Sequence, residues 1–149
     1  SRGGNPELIN ALGVLDEDLV DVCFQMLNGN LRRLRSRPLA TVATYLVPDV
    51  YPDSDELDRM VDLSKALDLA NAWIKVYPGS VDAREDGLHA LSSRTVCVLG
   101  IGEDILQARK RSLNGVNVVK GDRFRQRNDV ASSENIQRSI EHMRSFSRN

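Results

Sequence analysis

Arg94-Thr95-Val96-Cys97-Val98-Leu99-Gly100-Ile101 is the stretch on which the fold turns. Beyond Thr95 it is apolar at successive rather than alternate positions, so both of its faces must be covered and it belongs at the centre of a sheet. Gly102-Glu103-Asp104 follows at once and opens a helix. On that helix Ile105, Ala108, Val116 and Val119 share a stripe, while Arg109, Lys110 and Arg111 are expected to face water. Upstream, Ala40-Thr41-Val42-Ala43-Thr44-Tyr45-Leu46-Val47 is rich in β-branched residues and uncharged, which predicts a second buried strand ending at Pro48.

The remaining elements are read outward from this pair. Asp16-Glu17-Asp18 places negative charge where a helix N-terminus favours it, with Leu19, Cys23, Met26 and Leu27 expected on the inner face and Gly29 as the stop. Residues 55–67 predict an amphipathic helix with Leu57, Met60, Val61, Leu63 and Leu67 inward. Two further strands are expected over residues 72–77 and 87–91, and residues 121–131 read as polar loop. Ser132 or Ser133 caps a last helix carrying Ile136, Ile140 and Met143. The strands between residues 72 and 101 are joined by connections too short for crossover helices. The expected class is therefore α+β, with a mainly antiparallel sheet flanked by helices.

The 149 residues, 41% hydrophobic and 28% charged, suit one ordinary soluble domain. A formal net charge of -1 argues against a dedicated nucleic-acid binder. The arginines at 123, 125, 127, 138, 144 and 148 are interleaved with Asp122, Asp129, Glu134 and Glu141, which reads as a solvated face. No apolar run approaches the roughly 20 residues of a membrane helix. Cys23 and Cys97 lie in apolar runs and are expected to be buried free thiols, which fits a cytoplasmic protein. No Cys or His cluster has zinc-ligand spacing.

Among chemistry-bearing residues, Arg2-Gly3-Gly4-Asn5-Pro6-Glu7 is either an anion-binding loop or an ordinary surface turn. Its glycines admit close backbone approach, and Arg2 offers a forked donor to phosphate or carboxylate. Because the chain opens inside this motif, residues upstream are expected to have been removed. Arg94 stands at the mouth of the central strand beside two small serines. Arg127 and Asp129 read as a local ion pair. His89 reads as a structural histidine, and Trp73 and Tyr77, alternating on one strand, read as core packing.

These segments, in order, resemble the C-terminal part of the phosphoribosylamine-glycine ligase family, ATP-grasp enzymes of purine biosynthesis. Arg2-Gly3-Gly4-Asn5-Pro6-Glu7 resembles the family's Arg-Phe-Gly-Asp-Pro-Glu loop. Residues 40–42 through 47–52 resemble its Ala-Thr-Val strand and Gly-Tyr-Pro turn. Leu88-His89-Ala90 is similar to its His-Ala-Gly, and Ser92-Ser93-Arg94-Thr95-Val96 to its Gly-Gly-Arg-Val-Leu. Gly100-Ile101-Gly102-Glu103-Asp104 matches its helix entry, Arg127-Asn128-Asp129-Val130 resembles its closing Arg-Arg-Asp-Ile, and the terminal helix is similar to archaeal forms.

The resemblance implies an α+β domain of the ATP-grasp ligase C-terminal type with a small, partly barrel-like sheet. Residues 1–37 would be the tail of the ATP-grasp domain and 38–149 the C-terminal domain. It implies ligation of glycine to phosphoribosylamine through a glycyl phosphate, with ATP and Mg²⁺ or Mn²⁺ in the intact enzyme. It implies a catalytic role for Arg2 and substrate binding by Arg94, Glu7, Arg127 and Asp129, with no metal ligand in this part. The fragment alone is expected to be inactive, to bind no cofactor, and to self-associate through the surface left by its missing N-terminal and ATP-grasp domains. A competing reading is a non-catalytic binding or assembly module derived from that enzyme.

Overall fold

The computed structural model describes residues 3–53 and 58–146. Its middle is the strand Val96–Gly102, here β6, with all seven residues buried. The elements before it are α1 (Glu7–Val14), α2 (Leu19–Leu27), β1 (Ala40–Pro48), β2 (Arg59–Met60), α3 (Ser64–Asp68), β3 (Ile74–Pro78), β4 (Val81–Arg84) and β5 (Gly87–Ala90). After it come α4 (Ile105–Asn117), β7 (Phe124–Gln126) and α5 (Ser133–Phe146). Four strands form an antiparallel sheet in the order β3-β6-β1-β7, and β2-β5-β4 form a second. The α+β class read from the sequence is thus the class observed.

The alternation of β1 divides the interior in two. Thr44 and Leu46 share the face on which α4 packs, where Val96, Val98, Ile74, Leu63 and Val116 make the larger core. Ala43 and Tyr45 share the other face with Cys97, Leu99 and Ile101, covered by Ile9 of α1. A sheet clothed on both sides is what the unbroken apolar run at 96–101 required. Gly100 makes the fit of α4 possible: a Cβ there would sit 2.0 Å from the Ala108 carbonyl oxygen.

Several expectations are corrected. The sheets are open rather than partly barrel-like: β3 and β7 are the outer strands and do not pair, because three-residue β7 reaches only the last residues of β1. The helix expected over 55–67 is instead the short strand β2 and the single turn of α3, with residues 54–57 outside the described part. Val61 and Leu63 are buried as expected, but Met60 and Leu67 are exposed. Pairing of Met60 with His89 overrides the helical spacing there. The strand β4 and the strand β7 lie in stretches not read as strands.

Helix α2 starts and stops where expected. Asp18 accepts from the Val20 and Asp21 amides, and Gly29 follows the helix with φ +65°. Its inward residue, however, is Val22, and Leu19, Cys23, Met26 and Leu27 are exposed, so Cys23 is not the buried thiol expected. On α4 the buried stripe is Ala108, Ser112, Gly115 and Val116 rather than one including Ile105. Arg109 and Arg111 are half-buried and donate to backbone carbonyls of Val130, Asn128 and Ile101. Trp73 and Tyr77 are not core: both are substantially exposed, and Trp73 carries the Arg111 guanidinium 4.7 Å from its ring centre.

Candidate functional site

The α1 face of the sheet ends in a cleft of about 440 Å³. Ala43, Tyr45 and Val47 form its floor because alternate residues of β1 point the same way. Tyr51 and Pro52, from the turn after β1, close one end, and Pro6 borders it from the segment before α1. Three cations stand around this apolar floor: Arg94 ahead of β6, Arg125 on β7 and Arg127 just beyond. A larger hollow of about 830 Å³ runs along the outer side of α4 but is lined by that helix alone.

Each arginine is held differently. Arg125 donates through Nε to the Asp49 carbonyl at 3.1 Å and also to the Tyr51 carbonyl, which ties the 48–53 turn to β7. Arg127 meets Asp129 with two parallel contacts, 2.9 and 2.5 Å. That fork, with Asn135 donating to the same carboxylate, holds the Asp129 carboxyl far below the usual range. Arg94 is half-buried with its guanidinium 5.2 Å from the centre of the Tyr45 ring, and it has no carboxylate partner among the described residues. A half-buried, uncompensated guanidinium over an apolar floor suits an anionic group on a partly apolar ligand.

Of the residues singled out from the sequence, Arg94 and Arg127 meet at this cleft, and Asp129 stands behind Arg127. Glu7 lies in the first turn of α1 next to Pro6 and does not line the cleft. Arg2 lies outside the described residues. Tyr45, Tyr51 and Arg125 were not read as site residues. Alternation along residues 43–47 carried a signal for Tyr45, but Arg125 depended on the pairing of Val47 with Arg125, which no spacing announces.

His89 forms a separate polar cluster. It is buried on β5, with Nδ1 2.6 Å from Asp58 Oδ1 and Nε2 3.0 Å from Asp86 Oδ1. Chiefly through the Asp58 contact, its pKa is raised above the ordinary 6.5. Arg84 bridges the same Asp58 and Asp82. The cluster is an internally satisfied clasp between the β4–β5 hairpin and Asp58, as a structural histidine would be.

The fold defines an α+β domain with open antiparallel sheets flanked by helices, matching the C-terminal domain of a solved ligase structure. Its similarity is to phosphoribosylamine–glycine ligases over nearly its whole length, as the sequence motifs suggested. The chain is 28% identical over 144 residues to the Methanobrevibacter smithii enzyme, covering 97% of this chain and 33% of the relative. It is 34% identical over 146 residues to that of Methanosarcina barkeri, covering 97% and 32%. The crystal structure of phosphoribosylamine–glycine ligase from Thermotoga maritima shares the fold, with a TM-score of 0.68 at 19% identity over 85% of this chain and 30% of that one. No family model matches the chain. The chain spans about a third of the length of the curated relatives it matches.

Proposed function

We propose that this chain is the C-terminal part of a phosphoribosylamine–glycine ligase and walls one side of its active site. The observation that supports this most is the alignment of nearly the whole chain with curated enzymes of that name. In the intact enzyme, the glycine carboxylate takes the γ-phosphoryl group of ATP and ADP leaves. The phosphoribosylamine nitrogen then attacks the acyl carbon, a carbon–nitrogen bond forms, and phosphate departs. A carboxylate oxygen is a poor leaving group until it is phosphorylated, which is why the ligation consumes ATP.

In this reading residues 1–37 finish the ATP-grasp domain and 38–149 form the C-terminal domain. Arg94 and Arg127 hold the phosphate of the amine substrate, Asp129 orients Arg127, Glu7 supports the loop, and Arg2 is catalytic. Among the described residues no three His, Cys, Asp or Glu side chains lie together as a metal site. ATP with Mg²⁺ or Mn²⁺ belongs to the rest of the enzyme, whose domains are this chain's partners. Of the basic residues at 123, 125, 127 and 138, all have acidic or carbonyl partners, which speaks against a nucleic-acid surface. As part of a metabolic ligase of this kind the chain is assigned to the cytoplasm; separately, no helix among the described residues is long and apolar enough to cross a membrane.

A chimera tests the proposal: this chain replaces the matching third of the Methanosarcina barkeri enzyme, and ADP release is followed with glycine and phosphoribosylamine. The expected result is substrate-dependent turnover in the chimera, none from the chain alone, and in Arg94→Gln a KM for phosphoribosylamine raised about tenfold. A folded chimera without turnover refutes the reading.

A further inference from the structure

We propose that Tyr45 is the positioning residue of the cleft: its ring carries the Arg94 guanidinium while its hydroxyl holds Asn5, so that one side chain locks both rims in register. The proposal rests on the reading of the cleft as an anion site. Tyr45 is in the middle of β1, paired directly with Cys97 of the central strand, so its backbone is fixed against the core of the sheet. Its ring lies across the cleft floor, and the Arg94 guanidinium sits 5.2 Å from the ring centre. Its hydroxyl donates to Asn5 Oδ1 at 2.5 Å. Asn5 belongs to the loop that precedes α1, forty residues away in sequence, and the neighbouring Pro6 borders the cleft.

The physical case is one of stiffness. Arginine has several rotatable bonds, and a cation with no carboxylate among the described residues would otherwise sample many rotamers before binding. An aromatic face restrains it without neutralising its charge, so the guanidinium stays available to an incoming anion. A carboxylate in the same place would restrain it by consuming that charge, as Asp129 does for Arg127. The two arginines therefore differ in kind: Arg127 is fixed by an acid, Arg94 by a ring. The Asn5 contact adds the second constraint, because a ring anchored at its hydroxyl cannot swing out from under Arg94. It also makes the placement of the 3–7 loop depend on the same side chain.

The test uses this chain with ribose 5-phosphate and inorganic phosphate as probes, reading the Arg94 Nε–H signal by NMR, with thermal melts to confirm folding. In the free protein, Tyr45→Leu is expected to give Arg94 the mobility of the exposed Arg32 and Arg33, whereas Tyr45→Phe keeps it ordered. With ribose 5-phosphate, Tyr45→Leu is expected to weaken binding about tenfold. Tyr45→Phe and Asn5→Ala should each weaken it by the same smaller factor, with no further loss in the double variant, because both remove one bond. Wild-type chain that binds neither probe overturns the anion-site reading and the proposal with it. Binding by wild type that Tyr45→Leu leaves unchanged, or an Arg94 signal equally ordered in Tyr45→Leu, overturns the positioning role alone. Should Tyr45→Leu fail to fold, unequal effects of Tyr45→Phe and Asn5→Ala would overturn the shared-lock account.

Discussion

Ser112 of α4 and Thr44 of β1 meet hydroxyl to hydroxyl, 2.7 Å apart, with both residues buried. Ser112 Oγ also lies 2.8 Å from the Val98 carbonyl oxygen on β6. With one proton to give, the serine serves Val98 and takes the proton of Thr44, so one polar pair joins the helix to two strands. Ser112→Ala leaves the buried Thr44 hydroxyl without that partner and should cost about 1–3 kcal/mol in urea unfolding. Adding Thr44→Val should restore most of it, since removing both hydroxyls leaves no buried hydroxyl without a partner. A single variant within about 0.5 kcal/mol of wild type, the spread of ordinary surface changes, would refute this account.

Gly100 and Gly29 allow a clean comparison of two glycine costs. At Gly100 a Cβ would meet backbone of α4, 2.0 Å from Ala108 O and 2.5 Å from Ser112 N. At Gly29 φ is +65° with open space around the position. Gly100→Ala is therefore expected to cost about 3 kcal/mol, the upper end of ordinary overpacking. Gly29→Ala should cost about 1 kcal/mol, from backbone strain only. Equal melting-point losses in the two variants would contradict the close approach of α4 to β6.

What the sequence made legible follows the same lines. The central strand, its neighbour β1 and the Asp104-capped start of α4 were readable because continuous apolar runs and a capping aspartate are local signals. Ser112 escaped because a hydroxyl reads as polar until its partner is known. Phe124-Arg125-Gln126 escaped because only pairing with β1 makes those three residues a strand. The helix expected at 55–67 failed because Met60, Val61 and Leu63 mimic helical spacing while β5 claims Arg59 and Met60 as a strand. At the cleft, Arg94 was legible from its place before the strand, whereas its ring partner is a product of the β1–β6 register.

His89 gives a pH dependence with a definite sign. Both ring nitrogens lie against carboxylates, and only the imidazolium can donate to both. The folded pKa therefore lies above the ordinary 6.5, mainly through the Asp58 contact. Its contribution to stability is complete below pH 6.5 and is lost as pH rises through the raised value. Asp58 is shifted down, chiefly by the same contact, so its share is held above pH 3.8 and lost as pH falls through its lower folded value. Melting temperatures between pH 5.5 and 9 should decline in wild type relative to His89→Gln. Parallel curves would mean the clasp is not protonated.

The two thiols should react very differently. Cys23 is exposed on α2, whereas Cys97 is buried under Tyr45 and burial pushes its pKa up to about 11. A chromogenic disulfide reagent at pH 8 should titrate one thiol in the native chain and two in denaturant. Cys23→Ser should leave the native chain silent. Two fast thiols in the folded protein would contradict the packing of Cys97.

Helix α2 gives the chain an apolar face that its own fold leaves open. Leu19, Val20, Phe24 and Leu27 line a shallow hollow of about 250 Å³ with Cys23, and Leu27 is 81% exposed. Only Val22 of this helix is buried. Apolar side chains gathered in this way lower their free energy by meeting another surface, at about 25 cal/mol per Å² removed from water. In the proposed ligase the other domains would supply that surface; in the isolated chain the nearest substitute is a second copy. Light scattering should therefore give a mass that rises with protein concentration, and Phe24→Glu with Leu27→Glu should return it to 16.6 kDa. The double variant changes exposed positions only, so its melting point should stay within about 0.5 kcal/mol equivalent of wild type. A wild-type chain that stays monomeric at every concentration would show that α2 is tolerated in water as it stands, and the case for a covering domain on this face would fall with it.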